Sequence, residues 1–480
     1  MTEQTAAAEV TLLPDRPFNP WRRSKSPKVK AIIDEAGDLL EVYELRFNKR
    51  QRKRRASDQR KFRATTEAIL CDLIHHYLKG SERGIYVTRS HKVLGCAGRY
   101  CPDVLGTKLP SILDLLQTPE MAYIQQEMGH LGCTGYEGES GPARRTVIRP
   151  GPRLIRRIEE HGITLEDIET CEQKEVIVLK RAKESYWDEG GAIEYNDTSR
   201  TRRYRKDVQA INSWLSEADL DFDPAAVEGK PPLVDINDRA MRRIFSQGHF
   251  KSGGRLFGGF WQQMKKQHRI EGLLIEGEEV IELDYGQMNP RIIYGLCKAQ
   301  PPQEDLYLIS GYEQHRSGIK KVMNAMMFTD KPLTKMPKGV RKQFFEQQPV
   351  SDVCKAITAA HPDIKDQFYS GIGHKAQFIE SEIMIDVLLK LKDKGIVALS
   401  IHDAVIVGQS KEEEVRQVML GCFLAHTGIE GVVTTEGERP LQPIFIPSVN
   451  KGCLSPYLGR GYPLNQVFSL DLYSSLGMPL

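Results

Sequence analysis

The sequence lacks the cysteine pairing and the long apolar runs that mark secreted and membrane proteins. Its nine cysteines are scattered over 480 residues without a repeated spacing. We therefore expect reduced thiols in a cytoplasmic protein, with neither a disulfide framework nor a zinc ribbon. The most apolar stretch, 396–408, is too short to cross a bilayer and carries His402 and Asp403. No membrane partner is expected.

An excess of charge of one sign is also missing, because the net charge is only +3. Hydrophobic residues make up 40% of the chain and charged residues 27%, which is ordinary for a globular protein. The charge is nevertheless uneven: the segment 46–63 holds ten Lys and Arg and one acid, Asp58. This density suits a nucleic-acid phosphate backbone, and a solvated helix face is the alternative.

Hydrophobic spacing divides the first half of the chain. Residues 28–79 have helical spacing, and 80–170 mix β-branched runs with basic segments. The second region resembles a winged-helix DNA-binding unit with 144–148 as a wing strand; a helical spacer without nucleic-acid contacts is the alternative. Further on we predict a strand at 175–180, helices at 204–220 and 238–250, and a linker at 221–232.

An aspartate ends a buried strand in the segment 280–298. Val280 to Leu283 supply the apolar strand, Asp284 ends it, Gly286 loosens the turn, and a helix begins near Pro290. Such an aspartate faces a cleft, where an unpaired carboxylate is costly unless it binds a cation.

A second aspartate lies between two β-forming runs in 396–408. The pattern predicts a hairpin with His402 and Asp403 at its tip. Aspartates on adjacent strands can hold two Mg²⁺ ions ~4 Å apart, an arrangement that supports in-line phosphoryl displacement. We therefore expect Asp284 and Asp403 to form one site.

Between these aspartates in the sequence, polar and aromatic residues recur every four positions, which places them on one face of a helix. This face carries Arg316, Lys320, Asn324 and Phe328, so two cations precede an aromatic ring. Cations there would grip a triphosphate and an aromatic would stack on an incoming base. By spacing alone, an exposed basic stripe is the simpler interpretation.

The order of these three segments resembles motifs A, B and C of the family A DNA polymerases and of the related single-subunit RNA polymerases. DYGQMNPR at 284–291 resembles motif A, the spacing from Arg316 through Lys320 to Phe328 resembles the motif B helix, and SIHDAVIV at 400–407 resembles motif C. SGGRL at 252–256 resembles a primer–template segment, and 374–391 resembles the glutamine-containing helix before motif C. The resemblance covers roughly 240–410 and suggests a divergent phage or mobile-element member.

The resemblance implies catalytic and nucleotide-binding roles for individual residues. Two Mg²⁺ ions would be held by Asp284, Asp403 and the Tyr285 carbonyl. The triphosphate would be bound by Arg316 and Lys320, and Lys320 would protonate the departing pyrophosphate. Phe328 would close on the nascent base pair.

The resemblance implies a second set of residues that bind primer and template. Arg255 would contact the duplex. The primer terminus and the minor groove would be lined by Gln287, Arg291, Gln377 and His402.

Three departures from the family pattern concern the sugar and the metals. Asn289 replaces the glutamate that blocks the ribose 2′-OH, and Phe328 replaces a tyrosine. Ala404 follows Asp403 where a glutamate is usual, which removes a third carboxylate. We expect deoxynucleotides to be preferred, with relaxed discrimination.

The fold class implied is α+β: a right-hand polymerase core with a palm sheet and helical fingers, plus a mainly helical N-terminal nucleic-acid-binding region. The expected divisions are a basic arm with helices (1–79), a winged-helix-like accessory domain (80–170), a thumb-like connection (171–240), palm (241–310), fingers (311–395), palm (396–450) and a tail (451–480).

The expected activity is DNA-directed DNA polymerisation, extending a primer 3′-OH by two-metal catalysis with Mg²⁺. The partners would be a DNA primer–template, nucleoside triphosphates and replication proteins of a phage or mobile element. No proofreading exonuclease is expected, because the one Asp-x-Glu triplet considered upstream, 167–169, lies in a helix-like segment. The alternatives are a single-subunit RNA polymerase or primase-like enzyme, and a catalytically idle DNA-binding replication factor.

Overall fold

The structure is a computed structural model that describes residues 15–435, except 48, 51, 81–83, 96–97, 131–143, 172–174, 185–187, 189, 230, 233 and 345–347. The start of the predicted arm, the end of the second palm segment and the tail lie outside the described residues. The described chain mixes helices with four small β-sheets, as the α+β prediction requires. Within it, no helix is long and apolar enough to span a bilayer.

The N-terminal part of the chain encloses a hydrophobic core of its own. Its elements are β1 (Arg16–Pro17), β2 (Arg22–Ser24), α1 (Pro27–Arg46), α2 (Ala56–Leu78), β3 (Ile85–Val87), α3 (His91–Leu94), α4 (Leu109–Leu116), β4 (Ile124–Glu127), β5 (Thr146–Pro150), α5 (Pro152–Glu160) and β6 (Ile168–Thr170). The helices predicted between 28 and 79 are confirmed as α1 and α2. α1 begins where the Ser26 side chain accepts a hydrogen bond from the Val29 amide, with Pro27 at the first helical position.

A four-stranded sheet in the order β1-β3-β5-β4 lies in this core. β4 and β5 pair antiparallel, and β3 pairs antiparallel with the other edge of β5. The predicted wing strand begins at Thr146 rather than Arg144, because Arg144 makes only an isolated bridge with His130. The assignment of this region to a winged-helix-like domain stays a prediction.

The helix-like segment expected around Asp167 is confirmed only in part, because a short 3-10 turn at Leu165–Asp167 is followed by a strand. Ile168–Thr170 forms β6, which pairs antiparallel with β2. Asp167 ends a short turn, where its carboxylate accepts a hydrogen bond from the Thr164 amide at 2.9 Å. Backbone pairing with β2 satisfies this segment, and this pairing is invisible in the local spacing of apolar residues.

A second sheet connects the N-terminal part to the rest of the chain. The next elements are β7 (Ile177–Leu179), α6 (Ser199–Glu217), β8 (Leu220–Phe222), β9 (Met241–Phe245) and β10 (Gly253–Gly258). The predicted strand and the predicted helix at 204–220 are confirmed as β7 and α6. The predicted helix at 238–250 is wrong, because Met241, Arg243 and Phe245 are buried alternately and β9 pairs with both β7 and β10.

The third sheet is the largest and carries the two aspartates. The remaining elements are α7 (Lys266–Gly272), β11 (Leu273–Ile275), β12 (Glu278–Tyr285), α8 (Met288–Cys297), α9 (Arg316–Phe328), α10 (Val350–Ala360), α11 (Ile372–Asp393), β13 (Leu399–Ile401), β14 (Ala404–Gly408), α12 (Glu412–Thr427) and β15 (Val433–Thr435). The strands of this third sheet lie in the order β13-β14-β12-β11-β8, and β15 also pairs with β12. β8 occupies the start of the predicted linker, because Leu220 and Phe222 alternate with Asp221 and pair with β11.

A buried ionic network joins the N-terminal part to the segment before β9. Asp72 is fully buried and receives hydrogen bonds from Arg16 and Arg22. Arg22 also donates to Asp235 at 2.8 Å, and His75 Nε2 lies 2.7 Å from the same carboxylate. Burial alone would raise the pKa of Asp235, but His75 and Arg22 hold it below its usual range.

Replacing Asp235 with Asn is expected to lower the free energy of unfolding by about 2 kcal/mol, because charge-assisted hydrogen bonds are lost at a site with little water. A carboxyl group whose pKa is lowered by folding stabilises the fold at pH values above its unfolded-state pKa of about 4. This stabilisation is lost as the pH falls from about 4 through the lower folded-state pKa. The difference between wild type and Asp235→Asn, measured by urea unfolding, should therefore shrink below about pH 4. Glu217→Gln, at an exposed carboxylate, is the control; equal stability of the two variants would contradict the assignment.

Candidate active site

The two aspartates are brought together by strand register. Asp284 lies opposite Ala404, the first residue of β14, and Asp403 is the residue before it. The Tyr285 amide donates a hydrogen bond to the Asp403 carbonyl at 3.2 Å. The predicted hairpin is confirmed, since β13 and β14 pair with Ile401 opposite Ala404. The two carboxylates therefore occupy the same end of adjacent strands.

The negative charge of Asp403 affects the pKa of Asp284. Burial, reinforced by the charge of Asp403, raises the pKa of Asp284 to about 7, while the charge of Lys320 opposes the rise. A carboxylate in that position is stabilised by a cation. The donors suit Mg²⁺, which takes one or two carboxylates together with substrate phosphates. In the described part of the chain, no group of three or more His, Cys, Asp and Glu side chains has the arrangement of a metal cage.

Tyr285 contributes its backbone to the sheet and its side chain to the core. Its hydroxyl donates to the Met419 carbonyl at 2.6 Å, and its ring lies 5.6 Å from that of Phe423. A side chain held in this way is withdrawn from the aspartates. The predicted metal ligand is the backbone carbonyl of Tyr285 and not its side chain. The buried position of the side chain is therefore compatible with that prediction.

Helix α9 exposes the predicted stripe and buries its opposite face. Arg316 and Lys320 are exposed, whereas Asn324 and Phe328 are partly buried. The opposite face packs in the core through Ile319, Val322, Met323, Met326 and Met327, which are completely buried. The charge of Lys320 lowers the pKa of Asp284, so this lysine of the stripe acts electrostatically on that aspartate.

A loop between α8 and α9 completes this site, and sequence reasoning missed it. Asp305 accepts a hydrogen bond from Arg316 at 2.5 Å. The buried Tyr307 ring lies 5.5 Å from the Arg316 guanidinium and 6.0 Å from Lys320 Nζ. Burial raises the pKa of Tyr307, and the charges of Asp403 and Asp284 also act on it. The Tyr307 ring thus lies close to both cations of the stripe.

Two residues that were predicted to contact the primer, Gln287 and Arg291, hold this loop in the structure. Gln287 Oε1 accepts a hydrogen bond from the Leu306 amide at 2.9 Å, and Arg291 donates to the Glu304 carbonyl at 2.6 Å. His361 Nε2 lies 2.9 Å from the Leu306 carbonyl. Contact of Gln287 or Arg291 with a primer stays a prediction; the structure shows them positioning Asp305 and Tyr307.

At the far end of the stripe, Phe328 packs against helix α11. Its ring meets the His374 ring edge to face at 5.2 Å. A Cβ added to Gly373 would lie 2.7 Å from the Phe328 ring, so a larger residue would push the ring away. Glycine at 373 therefore lets Phe328 lie against α11.

Asn289 has an unpaired acceptor. It lies in the first turn of α8, five residues after Asp284. Its Oδ1 atom is buried and has no hydrogen-bond partner among the described residues. A buried amide oxygen without a donor is costly, so a ligand hydroxyl or amide would be favourable there.

Arg255 and His402 lie on the other side of Asp403. Arg255 donates two hydrogen bonds to Glu380, at 2.5 and 2.8 Å, and the charge of Asp403 acts on Arg255, His402 and Glu380. His402 adopts a left-handed backbone with φ of 54°, and its ring lies 5.5 Å from the Phe257 ring. The structure thus brings Arg255 and His402, both predicted to contact the primer, within the electrostatic influence of Asp403.

Glu380 is a further residue that sequence reasoning missed. It is completely buried, and burial raises its pKa to about 7 although Arg255 opposes the rise. Its only sequence signal is an acid within the apolar run of α11. Gln377 lies one turn earlier on that helix and is half-buried. Its predicted contact with the minor groove stays a prediction.

A buried arginine fixes α11 against this site. Arg243 on β9 donates to the Gly254 carbonyl at 2.8 Å, to Ser381 at 2.9 Å and to Glu382 at 2.5 Å. Its guanidinium also lies 4.5 Å from the centre of the Tyr204 ring and 4.9 Å from that of the Phe245 ring. These contacts hold Glu380 opposite Arg255.

Comparison with known proteins gives little beyond these observations. No protein-family model matches the chain, and none of the curated proteins compared with it matches. A solved structure described as the POL domain of Pol1 from M. smegmatis in complex with DNA primer-template and dNTP is similar over 49% of this chain and 50% of that chain. The identity is 14% and the TM-score 0.27. The chain spans about half the length of that structure, and a similarity of this size carries no argument about function.

Proposed function

We propose that the chain is a template-directed nucleotidyltransferase of the family A type, most simply a DNA-directed DNA polymerase. The observation that carries the proposal is the position of Asp284 on β12 opposite Ala404, the residue after Asp403, with the charge of Lys320 acting on Asp284. Carboxylates and a cation so placed suit phosphoryl transfer from a triphosphate to a hydroxyl.

Asp284, Asp403 and the Tyr285 carbonyl would hold two Mg²⁺ ions. When bound, these ions would activate the primer 3′-OH and stabilise the charge of the departing pyrophosphate. The carboxylates fix the place of the reacting groups by strand register. The raised pKa of Asp284 means that cation binding releases a proton near neutral pH.

The triphosphate would lie along the exposed cations of α9. Arg316, already oriented by Asp305 and the Tyr307 ring, would bind phosphate oxygens by two parallel hydrogen bonds. Lys320 would bind next to it and protonate the pyrophosphate as it leaves. Phe328 would stack on the incoming base from the end of the same face.

The primer terminus would lie beside Asp403, where Arg255, His402 and Gln377 would contact it. Glu380 would act as a positioning residue, since it holds Arg255 through two hydrogen bonds. The bidentate pair limits the rotamers of Arg255 and leaves its other N–H donors available to the primer strand.

The sugar preference would be set by Asn289 and Phe328. The free Oδ1 acceptor of Asn289 would accept a hydrogen bond from a ribose hydroxyl, and Phe328 lacks a hydroxyl of its own. We propose deoxynucleotide preference with relaxed exclusion of ribose. Proofreading is not part of the proposal.

Asn289→Glu is expected to raise the preference for dNTP over NTP by roughly 10- to 100-fold in kcat/KM, because the longer carboxylate would occupy the space of the 2′-OH and repel its oxygen. Asn289→Gln adds the same length without charge and separates volume from repulsion. Single-nucleotide incorporation with each pool measures the ratio. An unchanged ratio in both variants would place the sugar gate elsewhere.

Extension of a labelled primer on a DNA template with Mg²⁺ tests the proposed function, with dNTPs and NTPs supplied separately. The proposal expects extension that depends on the template, faster with dNTPs. Faster extension with NTPs would favour the RNA polymerase or primase-like alternative. DNA binding without incorporation from either pool would favour the idle replication factor.

A further inference from the structure

We infer that the tip of the α1–α2 hairpin is a second nucleic-acid contact and that it binds single-stranded nucleic acid. We call the described residues 42–47, 49–50 and 52–61 the hairpin tip. The inference concerns binding alone and stands whether or not the palm is catalytic.

The hairpin tip displays positive charge that the fold does not neutralise. Two arginines of the basic segment have internal partners: Arg54 donates to the buried Glu44 at 2.6 Å and Arg63 to Asp38 at 2.6 Å. The remaining exposed cations of the tip make no ion pair with any residue that the structure describes. They include Arg46, Lys49, Arg52, Lys53, Arg55 and Arg60.

Side-chain contacts tie the end of α1 to the start of α2. The Arg54 guanidinium lies 3.6 Å from the centre of the Phe62 ring while it pairs with Glu44. Gln59 donates to Glu41 at 2.6 Å, which links the first turn of α2 to α1. Because the two helices are held together here, the cations at their ends, Arg46, Arg55 and Arg60, are restricted in position, which lowers the entropy lost on binding.

The tip also exposes apolar side chains, which phosphate binding does not require. Val42 and Leu45 lie one turn apart on α1 and are 60% and 68% exposed. Phe47 is 45% exposed, and its ring lies 4.4 Å from that of Tyr43. Within the described chain, exposed large apolar residues are few, so three of them beside six cations form an unusual combination.

This combination selects single strands over duplex. A duplex offers phosphates on its outside but encloses the faces of its bases, so Phe47, Val42 and Leu45 would gain little from it. An unpaired strand offers both phosphates for the cations and base faces for an exposed ring. The dense positive charge disfavours a basic or neutral protein partner.

The test uses the full-length chain and fluorescence anisotropy with a labelled oligo-dT and with a blunt duplex of equal length, across a range of salt concentrations. Replacing Lys49, Arg52, Lys53 and Arg55 with Gln should flatten the slope of log affinity against log salt on oligo-dT by about 3, since four lost phosphate contacts each contribute ~0.7. The matched control replaces four exposed cations outside the tip: Lys25, Lys28, Lys108 and Arg156. The control should leave the slope unchanged.

Phe47→Ala tests the single-strand preference. It should weaken oligo-dT binding at least about five-fold, the effect of one stacked base, and leave duplex binding within about two-fold. Because Phe47 is exposed, unfolding curves should match wild type. A tip variant whose slope equals that of the control, or a Phe47→Ala effect that is absent or equal on both DNAs, would overturn the inference. None of these readings depends on nucleotide incorporation.

Discussion

Asp284→Asn and Asp403→Asn should each reduce nucleotide incorporation by about 10³-fold or more while DNA binding persists. In the proposed mechanism each substitution removes a metal-binding carboxylate, and the lost stabilisation of the transition state is several kcal/mol, at about 1.36 kcal/mol per tenfold in rate. Glu279→Gln, an exposed residue at the start of the same strand, is the control. Single-turnover extension of a labelled primer measures the rates.

Stability supplies a second reading of Asp284→Asn. Because the folded-state pKa of Asp284 is raised to about 7, its ionisation opposes folding, and wild type loses stability as the pH rises from about 4 towards 7. The Asn variant lacks this loss and should unfold at a higher temperature at pH 8. Mg²⁺ should stabilise wild type and not the variant, because ligand binding to the native state alone adds stability.

An Asp284→Asn variant that retained incorporation would contradict the role of this residue in catalysis. A variant that lost both incorporation and its cooperative unfolding would report a folding defect. The stability measurement therefore separates loss of chemistry from loss of structure.

Lys320→Ala should lower the rate of incorporation by about 10²-fold, the usual contribution of a positioned general acid. The matched control is Lys321→Ala, since Lys321 is exposed on the same helix but one position off the stripe. Lys320→Arg should retain triphosphate binding, measured as KM, and lose most of the rate, since a guanidinium does not release its proton.

The electrostatic link gives a further reading of Lys320→Ala. The charge of Lys320 lowers the pKa of Asp284, so its removal should shift the titration of that carboxyl to higher pH in metal-free protein, as measured by NMR. Equal effects of Lys320→Ala and Lys321→Ala on rate and titration would contradict the assignment of Lys320 to the site.

The elements around the site were predictable because each has a local signal. The apolar run before Asp284 becomes β12, the paired β-forming runs around Asp403 become a hairpin, and the spacing from Arg316 to Phe328 becomes α9. In each case periodicity and burial agree over a whole element. The placement of Lys320 beside Asp284 then follows from tertiary packing.

The parts that sequence reasoning missed depend on contacts between distant segments. Tyr307 has no periodic neighbours. Its place near Arg316 and Lys320 depends on its loop, which donates a hydrogen bond to Gln287 and accepts one from Arg291. Glu380 interrupts an apolar helix and has meaning only through Arg255, 125 residues away. Spacing along one segment carries no information about such partners.

The wrong helix at 238–250 has a similar cause. Over so short a stretch, the spacing of its apolar residues fits both the period of a helix and that of a strand. β9 forms because β7 and β10 satisfy its backbone on both edges, and because Arg243, a residue that spacing would place outside, is buried with Glu382. The competing tertiary pairing overrides the local preference.

The most direct measurement is single-nucleotide incorporation by wild type and Asp403→Asn on four DNA templates that differ only in the base after the primer. A catalytic centre built on Asp284 and Asp403 predicts that wild type adds the nucleotide complementary to each template base. It predicts that Asp403→Asn binds the same DNA and adds none. Addition by Asp403→Asn at the wild-type rate, or addition by wild type irrespective of the template base, would contradict a template-directed polymerase with this centre.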